Sequence, residues 1–210
     1  MKGNRLQVLG YSFLFFILLS TVACTLYPTY AATDIGQSKI SPANPLYFLK
    51  TIQEDLELKF AGTDNVKMIR KIEFATRRLR EVKSLISGSH EDLIEPTLER
   101  YWSYISRLPD KDLKDEELII RVKESLIIHL ESLQRIYGQI SNTRAKMSIR
   151  SIVNRLIQRV DIPDDAKLPS CKFLSREASS SALNEVERSI LADRAKKCYS
   201  IPSLNRYPNL

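Results

Sequence analysis

From residue 46 onward, apolar side chains recur at every third or fourth position, and the rhythm persists almost to the end of the chain. Met68, Ile72, Ala75, Leu79, Val82 and Ile86 are separated by steps of 4, 3, 4, 3 and 4; Ile94, Leu98, Tyr101, Ile105 and Leu108 by 4, 3, 4 and 3. Such steps return side chains to one face of a helix, whereas a strand, with period two, cannot produce them. A longer helix spans about Leu113 to Tyr137, with Ile119, Val122, Leu126, His129, Leu133 and Ile136 on its seam and Leu118, Ile128 and Leu130 widening the stripe. That width predicts a central helix, buried on more than one side. A further helix carries Met147, Ile149, Ile152, Val153, Leu156 and Val160 until Pro163 stops it.

Pro45 suits the first turn of the opening helix, Leu46 to Phe60, because its missing N–H costs nothing there. In this helix Leu46 and Leu49 are expected on the inner face, with Tyr47 and Lys50 on a neighbouring one. Gly62, Gly88 and Gly138 punctuate the helix ends, with Thr63 or Asp64 capping the second helix, Ser89 capping the third and Asn142 in the turn before the fifth. A last helical unit opens at Cys171, breaks near Ser179 to Ser181, and resumes through Leu183, Val186, Ile190 and Leu191 to Cys198. The expected fold is therefore all-α: a helical bundle of about five amphipathic helices plus a C-terminal disulfide-closed helical hairpin. The expected divisions are a leader (1–31), a polar tether (32–44), the bundle (45–162), the cysteine-bounded hairpin (163–198) and a loose tail (199–210).

The leader differs from everything after it. Lys2 and Arg5 are the only charges before Asp34, and the run between is apolar through Tyr11 to Leu19 and more weakly to Leu26. A positive start ahead of such a run directs a chain to the membrane with its amino end in the cytoplasm. Three fates fit: cleavage after Ala31, where Thr29 and Ala31 are the small residues; retention as an anchor; or lipid attachment at Cys24, with Ala23 before it but Thr21 where leucine is preferred. Each places the rest of the chain outside the cytoplasm. Cys171 and Cys198 are the remaining cysteines, and in an oxidising compartment an even pair reads as a disulfide. Two free buried thiols are the alternative. A metal site is disfavoured, since there is no Cys-x-x-Cys and the two histidines, His90 and His129, are distant.

Composition removes several functions. The chain has 210 residues and only six glycines, none within two residues of another, so dinucleotide- and phosphate-loop motifs are absent. No catalytic, cofactor or metal residues are nominated. His129 reads as a core histidine bonded to a neighbour; a hydrolase built on it is the enzymatic alternative. His90 is expected exposed, Glu54–Asp55 and Glu91–Asp92 read as capping and solvation, and Tyr101 and Trp102 as one core ring and one edge ring. The net charge is +7, and six basic residues without an acid (Arg135, Arg144, Lys146, Arg150, Arg155 and Arg159) run between Leu133 and Val160. Arg144, Arg150, Arg155 and Arg159 form a possible anionic-surface stripe, for anionic lipid, an acidic wall polymer or an envelope protein. Nucleic acid is not expected in that compartment.

The segments Ser41-Pro-Ala-Asn-Pro-Leu-Tyr-Phe-Leu-Lys50, Phe74-Ala-Thr-Arg-Arg-Leu-Arg-Glu81 and Ser125-Leu-Ile-Ile-His-Leu-Glu-Ser-Leu133 carry a resemblance. Over about residues 41 to 160 the chain resembles a bacterial family of exported or membrane-tethered helical domains of unknown function, whose opening element corresponds to Pro45, Leu46, Tyr47, Leu49 and Lys50. The resemblance implies an all-helical domain outside the cytoplasm with no established catalytic site. Some relatives form the outer part of membrane-spanning regulators, but only five residues precede the apolar run here, so no cytoplasmic output domain is expected. The functional expectation is a non-enzymatic structural or interaction module of the cell envelope, with a chaperone or envelope stress sensor as the alternative.

Overall fold

The computed structural model describes residues 34–109, 115–180 and 183–199. The leader, Cys24 and the tail beyond Tyr199 lie outside the described residues. The rest is all-helical: among the described residues there are seven α-helices and no strand. They are α1 (Tyr47–Lys59), α2 (Asp64–Ser87), α3 (Ile94–Ile105, preceded by a 3-10 turn at Glu91–Leu93), α4 (Glu116–Tyr137), α5 (Thr143–Leu156), α6 (Asp164–Ala178) and α7 (Glu185–Tyr199).

Four of these make the body. α2 packs on α3 and α4, and α5 closes the ring by packing on the same two helices from the other side. The seams expected from periodicity meet there: Met68, Ile72, Ala75, Leu79 and Val82 of α2, Leu98, Tyr101 and Ile105 of α3, Leu126, Leu130 and Leu133 of α4, Ile149 and Val153 of α5. Starts follow local chemistry. Thr63, Asp115 and Asn142 each accept a bond from the backbone N–H three residues on, capping α2, α4 and α5.

The exit of α2 differs from the expected arrangement. Gly88 is the last half-helical residue, but the left-handed residue is Ser89, with φ 58°. Ser89 N–H donates to Ile86 O and His90 N–H to Leu85 O, the paired bonds of a Schellman turn. Ser89 therefore ends α2 rather than capping α3. Glu91 also serves another helix: its carboxylate accepts from the N–H groups of Ser141 and Asn142, ahead of α5.

Further expectations are corrected. Residues 34–40 are fastened rather than a free tether: Ile35 is buried, its carbonyl accepts from Arg80 Nε at 2.5 Å, and Ser38 N–H donates to Ser84 Oγ at 2.8 Å. Small hydroxyl side chains on α2 let this extended strap approach. α5 ends at Leu156, so Val160 is exposed, as is Met147. Pro163 stands at the entry to α6, where it lacks an N–H that would have no partner anyway. The hairpin does not begin at Cys171 and is not self-contained. α6 starts at Asp164 and tolerates Pro169 within it, and Cys171, Phe173 and Leu174 join the main core. Val186 and Ile190 of α7 are exposed, while Leu183 and Leu191 are buried. The Cys171–Cys198 disulfide is present, joining the middle of α6 to the end of α7 with Cα atoms 5.8 Å apart.

Ser89→Gly should relieve the left-handed strain and raise stability by about 0.5 kcal/mol, the steric gain partly offset by the greater freedom of glycine in the unfolded chain. The check is a urea titration, in which the midpoint rises at unchanged slope.

Candidate functional site

The opening helix lies against α2 with its polar side inward. Tyr47 and Glu54 are its buried residues, whereas Leu46 and Leu49, expected inside, are 57% and 52% exposed. What Tyr47, Lys50 and Glu54 meet is a pair of charged residues on α2, Arg78 and Glu81, both almost fully buried. Arg78 Nη2 donates to both Glu54 oxygens, at 2.6 Å to Oε1, and Nη1 donates to the Tyr47 hydroxyl. The Tyr47 hydroxyl donates to Glu81 Oε2 at 2.9 Å, Lys50 Nζ reaches Glu81 Oε1 at 2.5 Å, and Arg77 touches Glu54 from the rim at 3.4 Å. Burial pushes the Glu54 carboxyl above its ordinary range against the pull of Arg78, and burial followed by the Glu81 charge raises the Tyr47 phenol. Charges removed from water are tolerable only when paired, and here both Glu54 oxygens and both terminal nitrogens of Arg78 have partners. Glu54, read from sequence as a solvated carboxylate, is instead the centre of the inward face of α1.

A second polar contact joins α2 to α4. His129 is fully buried, with Thr76 Oγ1 2.8 Å from Nε2 and the Tyr101 hydroxyl 3.3 Å from Nδ1. Thr76 also donates to Ile72 O at 2.9 Å, so its oxygen is free to accept from a protonated Nε2, leaving Nδ1 to accept from Tyr101. A histidine that donates to the hydroxyl cannot act as its base in that arrangement. Burial holds the imidazole neutral, its pKa pushed down to about 3. This is the core histidine expected from its seam position, bonded to neighbours. Tyr101 and Trp102 likewise divide into a buried ring and a half-buried one.

The three segments quoted for the resemblance thus meet in space. Tyr47 and Lys50 of the first touch Arg78 and Glu81 of the second, and Thr76 of the second touches His129 of the third. Their polar residues form one continuous set of helix-to-helix contacts.

The arginines of the expected stripe are separated. Arg144 and Arg155 are exposed, with Arg155 stacked over Trp102 at 5.2 Å. Arg150 is buried against Glu177 and Tyr137, tying α5 to α6. Arg159 is buried too, paired with Asp161 at 2.7 Å and donating to the carbonyls of Ile105, Leu108 and Pro109. Two of the four are internal ties, so no common basic face is formed; a helix ending at Leu156 also takes Arg159 off its regular spiral.

The surface feature that does emerge is the outer side of α1. At about 100° per residue, Phe48, Ile52, Leu56, Leu49, Phe60 and Leu46 fall within an arc of about 160°, interrupted by Lys59 and Gln53. All six are exposed, Phe60 by 77%. Along one edge of this arc runs an open groove of about 530 Å³ between α1, α2 and the 34–40 strap, to which Leu46 and Leu49 contribute apolar wall and Lys39, Lys50, Arg77 and Arg80 contribute charge. No acidic residue lines it. Among the described residues, no group of three or more His, Cys, Asp or Glu side chains is placed to hold a metal ion, and no helix is long and apolar enough to cross a membrane.

These features define an all-helical bundle with a buried ionic seam under an outward-facing apolar helix. The chain belongs to the family described as a domain of unknown function (DUF5667), which matches residues 39–147 and so takes in α1 to α4, the ionic seam and His129. The disulfide lies outside the matched region. Comparison with curated proteins and with solved structures finds no match.

Arg78→Met should cost 3–5 kcal/mol, roughly the penalty of stranding a buried Glu54, and Arg78→Met combined with Glu54→Gln should recover part of that loss in the same urea titration. His129 gives a second test. Its folded pKa lies below the unfolded value, so it is neutral in both states at pH 8 and takes a proton on unfolding once the pH falls below about 6.5. Stability should then fall by roughly 1 kcal/mol per pH unit between about 6 and 4, and His129→Gln should remove that contribution from the slope.

Proposed function

We propose that this chain is a non-enzymatic, exported helical module that works by docking through the outer face of α1. The observation that carries this reading is the orientation of α1, which turns Leu46, Phe48, Leu49, Ile52, Leu56 and Phe60 to solvent while Tyr47 and Glu54 are buried. Turning the helix over would bury Leu49, Ile52 and Leu56 but leave Arg78 and Glu81 of α2 without their α1 partners; the orientation so fixed keeps six large apolar side chains together in water, which suits a docking surface. The Cys171–Cys198 disulfide supports an oxidising location, and the uncharged run before Asp34 supports export, by cleavage near Ala31 or as a retained anchor. The partners that suit the face are those of the cell envelope: a protein, an anionic lipid or a wall polymer. A chaperone would use the same apolar arc for unfolded clients.

The test is p-benzoylphenylalanine in place of Ile52, with Arg121 on the exposed side of α4 as control, irradiated in intact cells. Adducts are expected from position 52 and not from 121; no adduct at 52 overturns the docking reading. In the same sample Cys171 and Cys198 should alkylate only after reduction, and free thiols in the untreated chain would contradict export.

A further inference from the structure

Building on that docking reading, we infer that the occupant of the α1 face is the surface of an anionic phospholipid bilayer, with α1 lying in the plane of the interface and the adjoining basic groove taking a lipid phosphate. Three observations converge on it.

The first is shape. An arc of about 160° carrying six apolar side chains, interrupted only by Lys59 and Gln53, is the pattern of a helix that sinks one face into the boundary between headgroups and acyl chains. Lys59, within that arc, has a stem long enough to run along apolar surface and bring its ammonium back to the headgroups.

The second is charge. The groove beside the arc shares Leu46 and Leu49 with it, and holds Lys39, Lys50, Arg77 and Arg80 without an acidic lining residue. Lys50 is matched by Glu81 and Arg77 by Glu54, while Lys39 is exposed and has no ion-pair partner among the described residues. An oxyanion entering here would meet Lys39 directly and the other cations at the groove wall. A protein partner would need an apolar strip bordered by acidic groups; a phospholipid monolayer offers that arrangement everywhere, phosphates in one plane and hydrocarbon immediately beneath.

The third is position in the chain. The uncharged run that reads as the membrane-directed segment ends at Thr33, and Gln37 to Ile40, which line the groove, follow within a few residues. The strap itself is pinned to α2 through Ile35 and Ser38 and bonded to Lys50 of α1 at Ser38 Oγ and Ile40 O, so the residues that follow that run in sequence are fixed beside α1.

The experiment uses the full chain as recovered from its envelope, carrying Ile52→Trp, reconstituted with vesicles whose acyl chains are brominated. With phosphatidylglycerol vesicles the new tryptophan should lose about half its emission, as expected for a side chain at the acyl boundary, while Trp102 in the wild type should be unaffected. Phosphatidylcholine vesicles should quench less. Lys39→Gln should narrow the difference between the two lipids by about fivefold. Lipid adducts from a benzophenone at position 52 would agree with this. Unquenched Trp at position 52 together with a protein or second-copy adduct there would overturn the lipid assignment and leave the docking reading standing. No quenching and no adduct of any kind would overturn both.

Discussion

The arrangement depends on Arg78. Its guanidinium lies buried on α2 with Glu54 and Tyr47 from α1 on one side and Glu81 from its own helix on the other. A buried cation demands acceptors, and those beyond Glu81 of its own helix are on α1. That demand rotates the helix. Tyr47, Lys50 and Glu54, spaced three and four apart, turn inward together, and everything on the opposite side of α1 is thereby turned out.

A seam of this kind trades magnitude for direction. Apolar packing of Leu49, Ile52 and Leu56 would hold α1 in several registers of similar energy, because hydrophobic contact is non-directional. The fork of Arg78 bonds in one plane and at one spacing, and the Tyr47–Glu81 and Lys50–Glu81 contacts fix the helix axially as well. The strap at 34–40 adds a third fastening along α2. What results is a helix set at a defined orientation with a wide apolar arc and a basic groove presented beside each other. The disulfide ties α6 to α7, beyond the region matched by the family.

Periodicity made the body legible. Steps of three and four located α2, α3 and α4 and their shared core, and Thr63 marked the start of α2, because both signals are local; α3 has no side-chain cap, and the Asp115 cap of α4 went unread. The disulfide was legible for another reason: only two cysteines, Cys171 and Cys198, follow the leader. The orientation of α1 was not legible that way. Leu46 and Leu49 form a helical face, but so do Tyr47, Lys50 and Glu54, and the choice between them is made by Arg78 and Glu81, about 30 residues further on. Such pairing leaves no trace in a hydrophobic pattern. It left one in the quoted motifs, whose Tyr, Lys, Arg and Glu positions are those that meet. The arginine stripe failed for a related reason: charge counts say where cations lie along the chain, not which of them, like Arg150 and Arg159, find buried acceptors.

Hydroxyl-radical footprinting of the folded chain in solution tests the orientation of α1 most directly. Leu49, Ile52, Leu56 and Phe60 should be oxidised rapidly, and Tyr47, despite its intrinsic reactivity, should be protected to the same degree as Tyr101 in the core. The reverse pattern, with Tyr47 modified early and the leucines and isoleucine shielded, would contradict it: α1 would then pack by its apolar face, and neither the ionic seam nor the outward docking surface would exist.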